Sequence, residues 1–130
     1  MSLLEKINKV KEFHETFKLE YHETPTSQIE SRLYELRHRL MQEENDEYLE
    51  AALQGDLTGI ADALGDKLYI LCGTIVAHGL QHKIGEVFAE IHRSNMSKLD
   101  SDGKPIYRED GKIMKSENYF LPKIAKILEQ

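Results

Sequence analysis

The chain has 130 residues, the length of a single domain spanning residues 1–130. It is large enough to bury a core, yet of a size at which many helical proteins complete that core by assembling. Its formal net charge of −6, with 40% hydrophobic and 31% charged residues, argues against a nucleic-acid partner, which calls for a basic patch. Cys72 is the only cysteine, which excludes an intrachain disulfide and a zinc site built on several thiolates. It lies in an apolar run and reads as a small buried hydrophobe.

Met1-Ser2-Leu3-Leu4-Glu5-Lys6 shows no signal-peptide core. The longest apolar run, Leu68 to Ala77, is too short to span a bilayer, so no membrane role is expected and the expected location is the cytoplasm. Leu3, Leu4, Ile7, Val10, Phe13 and Phe17 recur at helical spacing and predict a first amphipathic helix. His22 to Ser27, with Pro25, breaks it. A long second helix is expected from about Ser27 or Gln28 to Leu53, ended by Gly55-Asp56, with Asp56 placed to cap the next. The third helix runs to about His78-Gly79; its half from Leu68 to Ala77 is apolar nearly all round and should be buried at the centre. A fourth helix covers about Ile84 to Ser97. Ser101-Asp102-Gly103 reads as a turn, Asp110-Gly111 as a type I′ hairpin, and Pro122 as the start of a short last helix. The expected fold is all-α, a four- to five-helix bundle with a small C-terminal β-hairpin appendage.

The informative residues are carboxylates on apolar faces. On the second helix, Ile29, Leu33, Leu36, Leu40 and Ala51 form one stripe; Glu44 and Glu47 fall on it and Glu43 on its edge. On the third, Asp62 and Asp66 stand four apart on a face that continues through Tyr69, Gly73 and Val76. Burying unpaired carboxylates is costly. If the two helices pack antiparallel, four acids meet, and a hard divalent cation would make that favourable. The plainer reading keeps the run Gln42 to Glu47 as a solvated acidic face. Lys67 projects well off the Asp62–Asp66 face and is a poor neutraliser for it. On the fourth helix, Asn95 and Lys98 extend the stripe Ile84, Val87, Phe88, Ile91; Lys98 can snorkel or hold a phosphate.

These residues together resemble the MazG-like, all-α nucleoside triphosphate pyrophosphohydrolases, a superfamily that includes dimeric dUTPases and phosphoribosyl-ATP pyrophosphohydrolase. Glu43-Glu44-Asn45-Asp46-Glu47 matches its Glu-Glu-x-x-Glu motif, and Ile60 to Tyr69 is similar to its second metal motif. Glu90 to Lys98, and the tail through Asp110-Gly111-Lys112, Lys115 and Asn118-Tyr119, resemble a phosphoribosyl-ATP pyrophosphohydrolase-like subgroup. The likeness covers nearly the whole chain. One departure is the second motif, usually Glu-x-x-Asp: Ala63 stands three before Asp66, and the acid sits four before, at Asp62.

The resemblance implies hydrolysis of a nucleoside triphosphate between its α- and β-phosphates. It implies Mg²⁺ (or Mn²⁺) on Glu44, Glu47, Asp62 and Asp66, with Glu43 as the catalytic base. Asn95, Lys98, Arg93 and Lys115 would be phosphate contacts, and the assembly a homodimer or homotetramer. Nucleotide-pool housecleaning is the role expected; phosphoribosyl-ATP itself fits less well, given the altered motif and the tail. Two rivals remain. A carboxylate-bridged di-iron bundle needs two Glu-x-x-His motifs, and only Glu35-Leu36-Arg37-His38 is present. A non-catalytic metal-binding helical interaction module would keep the acids without turnover.

Overall fold

The computed structural model describes residues 1–130. It contains five helices and no sheet: α1 (Leu3–Thr16), α2 (Ser31–Leu53), α3 (Leu57–Ala77), α4 (Ile84–Met96) and α5 (Ile124–Leu128). The all-α expectation holds. By its contacts the chain forms two compact units, Met1–His82 with α1 to α3 and Lys83–Gln130 with α4 and α5.

In the first unit each helix has local reasons for its limits. Ser2 and Glu5 make a capping box on α1, each side chain bonding the other's backbone N–H. Asp56 caps α3 by accepting from the Gly59 N–H at 3.0 Å. Gly79, at φ +66°, ends α3: the Leu80 N–H reaches back to the Ile75 carbonyl at 2.9 Å and the Gly79 N–H to Val76 at 3.0 Å. A side chain there would also strike the Thr24 carbonyl. α2 starts at Ser31, three or four residues later than its periodicity suggests. Thr26 and Ser27 take the N–H groups of Gln28 and Ile29 into turn hydrogen bonds, at 2.9 and 3.2 Å, before the helix can claim them.

α3 lies between its two neighbours, packed on α2 and on α1. The α2–α3 register is antiparallel and readable residue by residue. Arg37 faces Gly73 and Thr74, Asn45 faces Lys67, and Ala51 faces Gly59. The core of this unit is Ile7, Val10, Ala51, Ala63, Cys72, Ile75, Val76 and Ala77. Cys72 is buried as read, and burial pushes its thiol pKa up. The expectation that Leu68 to Ala77 is buried all round needs correction. Leu68, Tyr69 and Leu71 are each more than two-fifths exposed, because α1 and α2 cover only part of the helix circumference.

Three histidines stitch the α1–α2 connection down. The Nδ1 atoms of His14, His22 and His78 face the carbonyls of Glu20, Ala77 and Thr26 at 3.1, 2.7 and 2.9 Å.

In the second unit the tail is tied to the end of α4 by hydroxyls. Ser94 donates to the Phe120 carbonyl at 2.7 Å, Ser116 to the Leu99 carbonyl at 2.7 Å, and the Ser97 oxygen accepts from the Phe120 N–H at 3.2 Å. The expected hairpin is reduced to a single antiparallel bridge, Tyr107 to Ile113. Its turn is not type I′, which needs positive φ at both central residues. Of the turn residues only Gly111 has positive φ, +88°, and the Gly111 N–H bonds the Arg108 carbonyl at 2.9 Å. That makes a three-residue loop closed by glycine. Residues 101–115 are exposed, and an unsupported two-stranded pairing lacks the apolar cover that would extend it. α5 begins at Ile124 rather than Pro122; the Lys123 N–H is held instead by Glu90 at 2.7 Å. No helix is long and apolar enough to cross a membrane.

Candidate metal and phosphate site

The antiparallel register brings the acids of α2 and α3 together. Glu44 is half-buried, and its Oε2 is closed off from solvent with no hydrogen-bond partner. Burial first, then a side-chain hydrogen bond with Glu47, then the charges of Glu47, Asp66 and Asp62 push its carboxyl up to about 7. Carboxylates held this close oppose one another's ionisation, which a cation among them would relieve. Asp62 contributes least of the three neighbours. It is exposed, while Ala63, where the related motif carries Glu, is buried.

No basic side chain forms an ion pair with Glu43, Glu44, Glu47, Asp62 or Asp66. Lys67, the nearest candidate in sequence, donates to the Asn45 side chain instead. The donor set is therefore all carboxylate oxygen, which suits a hard divalent cation such as Mg²⁺ or Mn²⁺. The side chains as they stand do not converge as a finished ligand cage. Glu43 is exposed and unpaired beside the cluster.

The phosphate candidates all lie in the second unit. Asn95 is exposed on the last turn of α4, and Lys98 is half-buried just beyond it, its N–H on the Asn95 carbonyl at 3.1 Å. Neither Asn95 nor Lys98 has its side chain engaged by a protein hydrogen bond. Arg93 is engaged: it grips Glu90 through Nε at 2.8 Å and Nη2 at 3.1 Å, and its guanidinium lies 4.4 Å from the Phe120 ring centre. The hydrogen bond from Arg93 lowers the Glu90 pKa, and Glu90 raises that of Arg93. Lys115 sits over the Tyr119 ring, its Nζ 4.8 Å from the centre.

Two residues of the first unit were not singled out from sequence. Arg37 is 8% exposed and His14 3%. Arg37 donates to Thr74 Oγ1 at 3.1 Å and to the Ile70 carbonyl at 2.8 Å, with no carboxylate partner. The signal was available. Arg37 is four residues after Leu33, three before Leu40 and seven before Glu44, on the same stripe that marked the acids.

A family model described as phosphoribosyl-ATP pyrophosphohydrolase matches residues 10–95. The match takes in all five acids, Arg93 and Asn95, and stops before Lys98 and Lys115. The chain belongs to this family, within the all-α NTP pyrophosphohydrolase superfamily. Among solved structures it is similar to a protein of Exiguobacterium sp. 255-15 to which NTP pyrophosphohydrolase activity is attributed provisionally. That likeness has 26% identity and a TM-score of 0.53, and covers 95% of this chain and 94% of that one. No curated protein sequence matches the chain significantly.

Proposed function

We propose that the protein is a divalent-cation-dependent nucleoside triphosphate pyrophosphohydrolase that cleaves between the α- and β-phosphates, releasing a nucleoside monophosphate and pyrophosphate. The observation that carries this reading is Glu44, whose solvent-excluded, unbonded oxygen lies among Glu47, Asp66 and Asp62 with no basic side chain paired to any of them. Family membership supports the reaction class.

Glu44, Glu47, Asp66 and Asp62 would hold Mg²⁺ or Mn²⁺, which when bound offsets phosphate charge and makes water at the site more acidic. The reaction asks the protein for positioning and charge compensation more than for covalent help. Glu43, exposed and unpaired, is the base: it takes a proton from water as the water oxygen bonds to phosphorus and the α–β anhydride bond breaks. Asn95 hydrogen-bonds a phosphate oxygen. Lys98 acts as a point charge on phosphate. Arg93 and Lys115 are the remaining phosphate contacts, Arg93 needing release from Glu90 to take part.

The protein acts on nucleotides rather than nucleic acid, in the cytoplasm and apart from membranes. It works as a homodimer or homotetramer, and its role is nucleotide-pool housecleaning.

The test is a panel of NTPs and dNTPs with Mg²⁺, Mn²⁺ or EDTA, with products resolved as mono- and diphosphate, pyrophosphate and phosphate. Monophosphate with equimolar pyrophosphate, lost in EDTA, is expected. Diphosphate with phosphate would mean a different bond is cut. Metal binding without turnover on any nucleotide would leave the second reading, a non-catalytic metal-binding helical interaction module that keeps the same acid cluster.

A further inference from the structure

Between α1, α2 and α3 lies a cavity of about 310 Å³, walled by Phe13, Leu36, Leu40 and Tyr69 and holding Arg37 and His14. A wall of this kind is apolar and aromatic, as small-molecule pockets are. Its polar content is unusual. Arg37 is more than nine-tenths buried, and a buried guanidinium is expected to face a carboxylate. Here Nε and Nη2 meet only the neutral oxygens of Thr74 and Ile70, and Nη1 has no protein partner. Arg37 itself lines the cavity.

His14 stands beside it. Arg37 Nη2 and His14 Nε2 both lie against Gly73, His14 Nε2 within 3.0 Å of where a β-carbon would stand. His14 Nδ1 faces the Glu20 carbonyl at 3.1 Å, and a carbonyl can only accept, so Nδ1 carries the hydrogen and Nε2 is left as an acceptor. Burial lowers the His14 pKa against the opposing pull of the Glu20 carbonyl, and the Arg37 charge lowers it further. The cavity, which Glu20 also lines without pairing to Arg37, thus offers a cationic donor next to an imidazole acceptor.

Position ties the cavity to the acids. Arg37 and Glu44 are seven residues apart on α2, as Gly73 and Asp66 are on α3. Two helical turns carry a side chain about 10 Å along the axis, comparable to the reach of a nucleoside from its 5′-phosphate to the far edge of its base.

We propose that this cavity is a base subsite selecting nucleotides whose base presents a lactam edge, a C=O beside a ring N–H, as uracil, thymine and guanine do. Arg37 donates to the carbonyl oxygen and His14 Nε2 accepts from the N–H, with the base against Tyr69 and Phe13. The inference rests on the acid cluster being the phosphate end, as proposed above. Adenine, whose pairing edge has no oxygen for the guanidinium, is disfavoured by the roughly 10- to 100-fold that a hydrogen bond to a charged group is worth.

The test is methyl and Arg-side-chain NMR on the full-length, metal-free protein. It is titrated with the 5′-monophosphates of uridine, guanosine and adenosine and with ribose 5-phosphate, beside pyrophosphate release from the matching triphosphates with Mg²⁺. Saturable shifts of the Leu36 and Leu40 methyls and the Arg37 Nε–H are expected with the uridine and guanosine nucleotides. Adenosine should bind at least about tenfold more weakly, and ribose 5-phosphate should leave the cavity signals unmoved. Arg37→Lys should level the preference. If that variant does not fold, the wild-type ranking decides the question, together with Leu36→Phe, which fills the cavity and should weaken every nucleotide. Ribose 5-phosphate shifting the cavity like a nucleotide, or a ranking with adenosine equal or first, overturns the proposal. Pyrophosphate release with silent cavity methyls overturns the base subsite and leaves the hydrolase; cavity shifts without hydrolysis do the reverse.

Discussion

At the scale of single residues, Glu44 couples the fold to the proposed chemistry. Its folded-state pKa of about 7 lies above the ordinary 4.5, so between those values the native protein holds a proton that the unfolded chain has released. Native binding of an extra proton makes stability fall as pH rises. Metal-free protein is therefore expected to lose stability from about pH 4.5 to about pH 7, levelling off above. Glu44→Gln should flatten that fall by on the order of 1 kcal/mol after allowance for solvent screening. Urea melts in EDTA at pH 5 and pH 8 check this; an equal slope in the variant would contradict it. Mg²⁺ should add more stability at pH 8 than at pH 5, since at the lower pH it competes with protons. The acids were legible because a charge on an apolar stripe has no local explanation. Arg37 carried the same signal, but an arginine among leucines reads easily as a snorkelling surface residue. Ser94 carried none, because its burial depends on the Phe120 carbonyl, 26 residues away.

At the scale of elements, helix termini hold the testable energetics. α1 ends like α3, with the Leu19 N–H on the His14 carbonyl at 2.8 Å, yet the residue in the left-handed position is Lys18, at φ +57°. A β-carbon there costs about 1 kcal/mol. Lys18→Gly is expected to stabilise the protein by roughly 0.5–1 kcal/mol in denaturant melts, and a loss of stability would show that the Lys18 side chain holds something in place. Gly73→Ala should act the other way. Its β-carbon would collide with the Arg37 guanidinium and crowd His14, at a cost of about 1–3 kcal/mol. Helix existence was legible from 3.6-residue periodicity. The start of α2 was not, because turn bonds by Thr26 and Ser27 compete with it. The Asp110-Gly111 pair was a sound turn signal, but its type is fixed by which residue takes positive φ, and here only the glycine does.

At the scale of the whole molecule, charge and apolar surface are unevenly distributed. The first unit carries 8 basic and 15 acidic residues, the second 9 and 8; the acids proposed for metal all belong to the first, and the cations proposed for phosphate all belong to the second. On α3, Leu64, Leu68 and Leu71 form an exposed stripe at helical spacing, larger in contiguous apolar surface than scattered surface leucines would be. If that stripe is an interface between copies, Leu68→Lys combined with Leu71→Lys should shift sedimentation from dimer or tetramer toward monomer; unchanged assembly would place the interface elsewhere. The sequence pattern alone made this helix a buried one, since an apolar circumference does not say whether its own chain or another covers it. The central claim, that the carboxylate cluster drives α–β cleavage, is tested most directly by following one nucleoside triphosphate by ³¹P NMR with Mg²⁺, in wild type and in Glu47→Gln. Monophosphate and pyrophosphate should grow together in the wild type and fall by at least about 100-fold in the variant; diphosphate and phosphate as products, or an undiminished rate in Glu47→Gln, would contradict it.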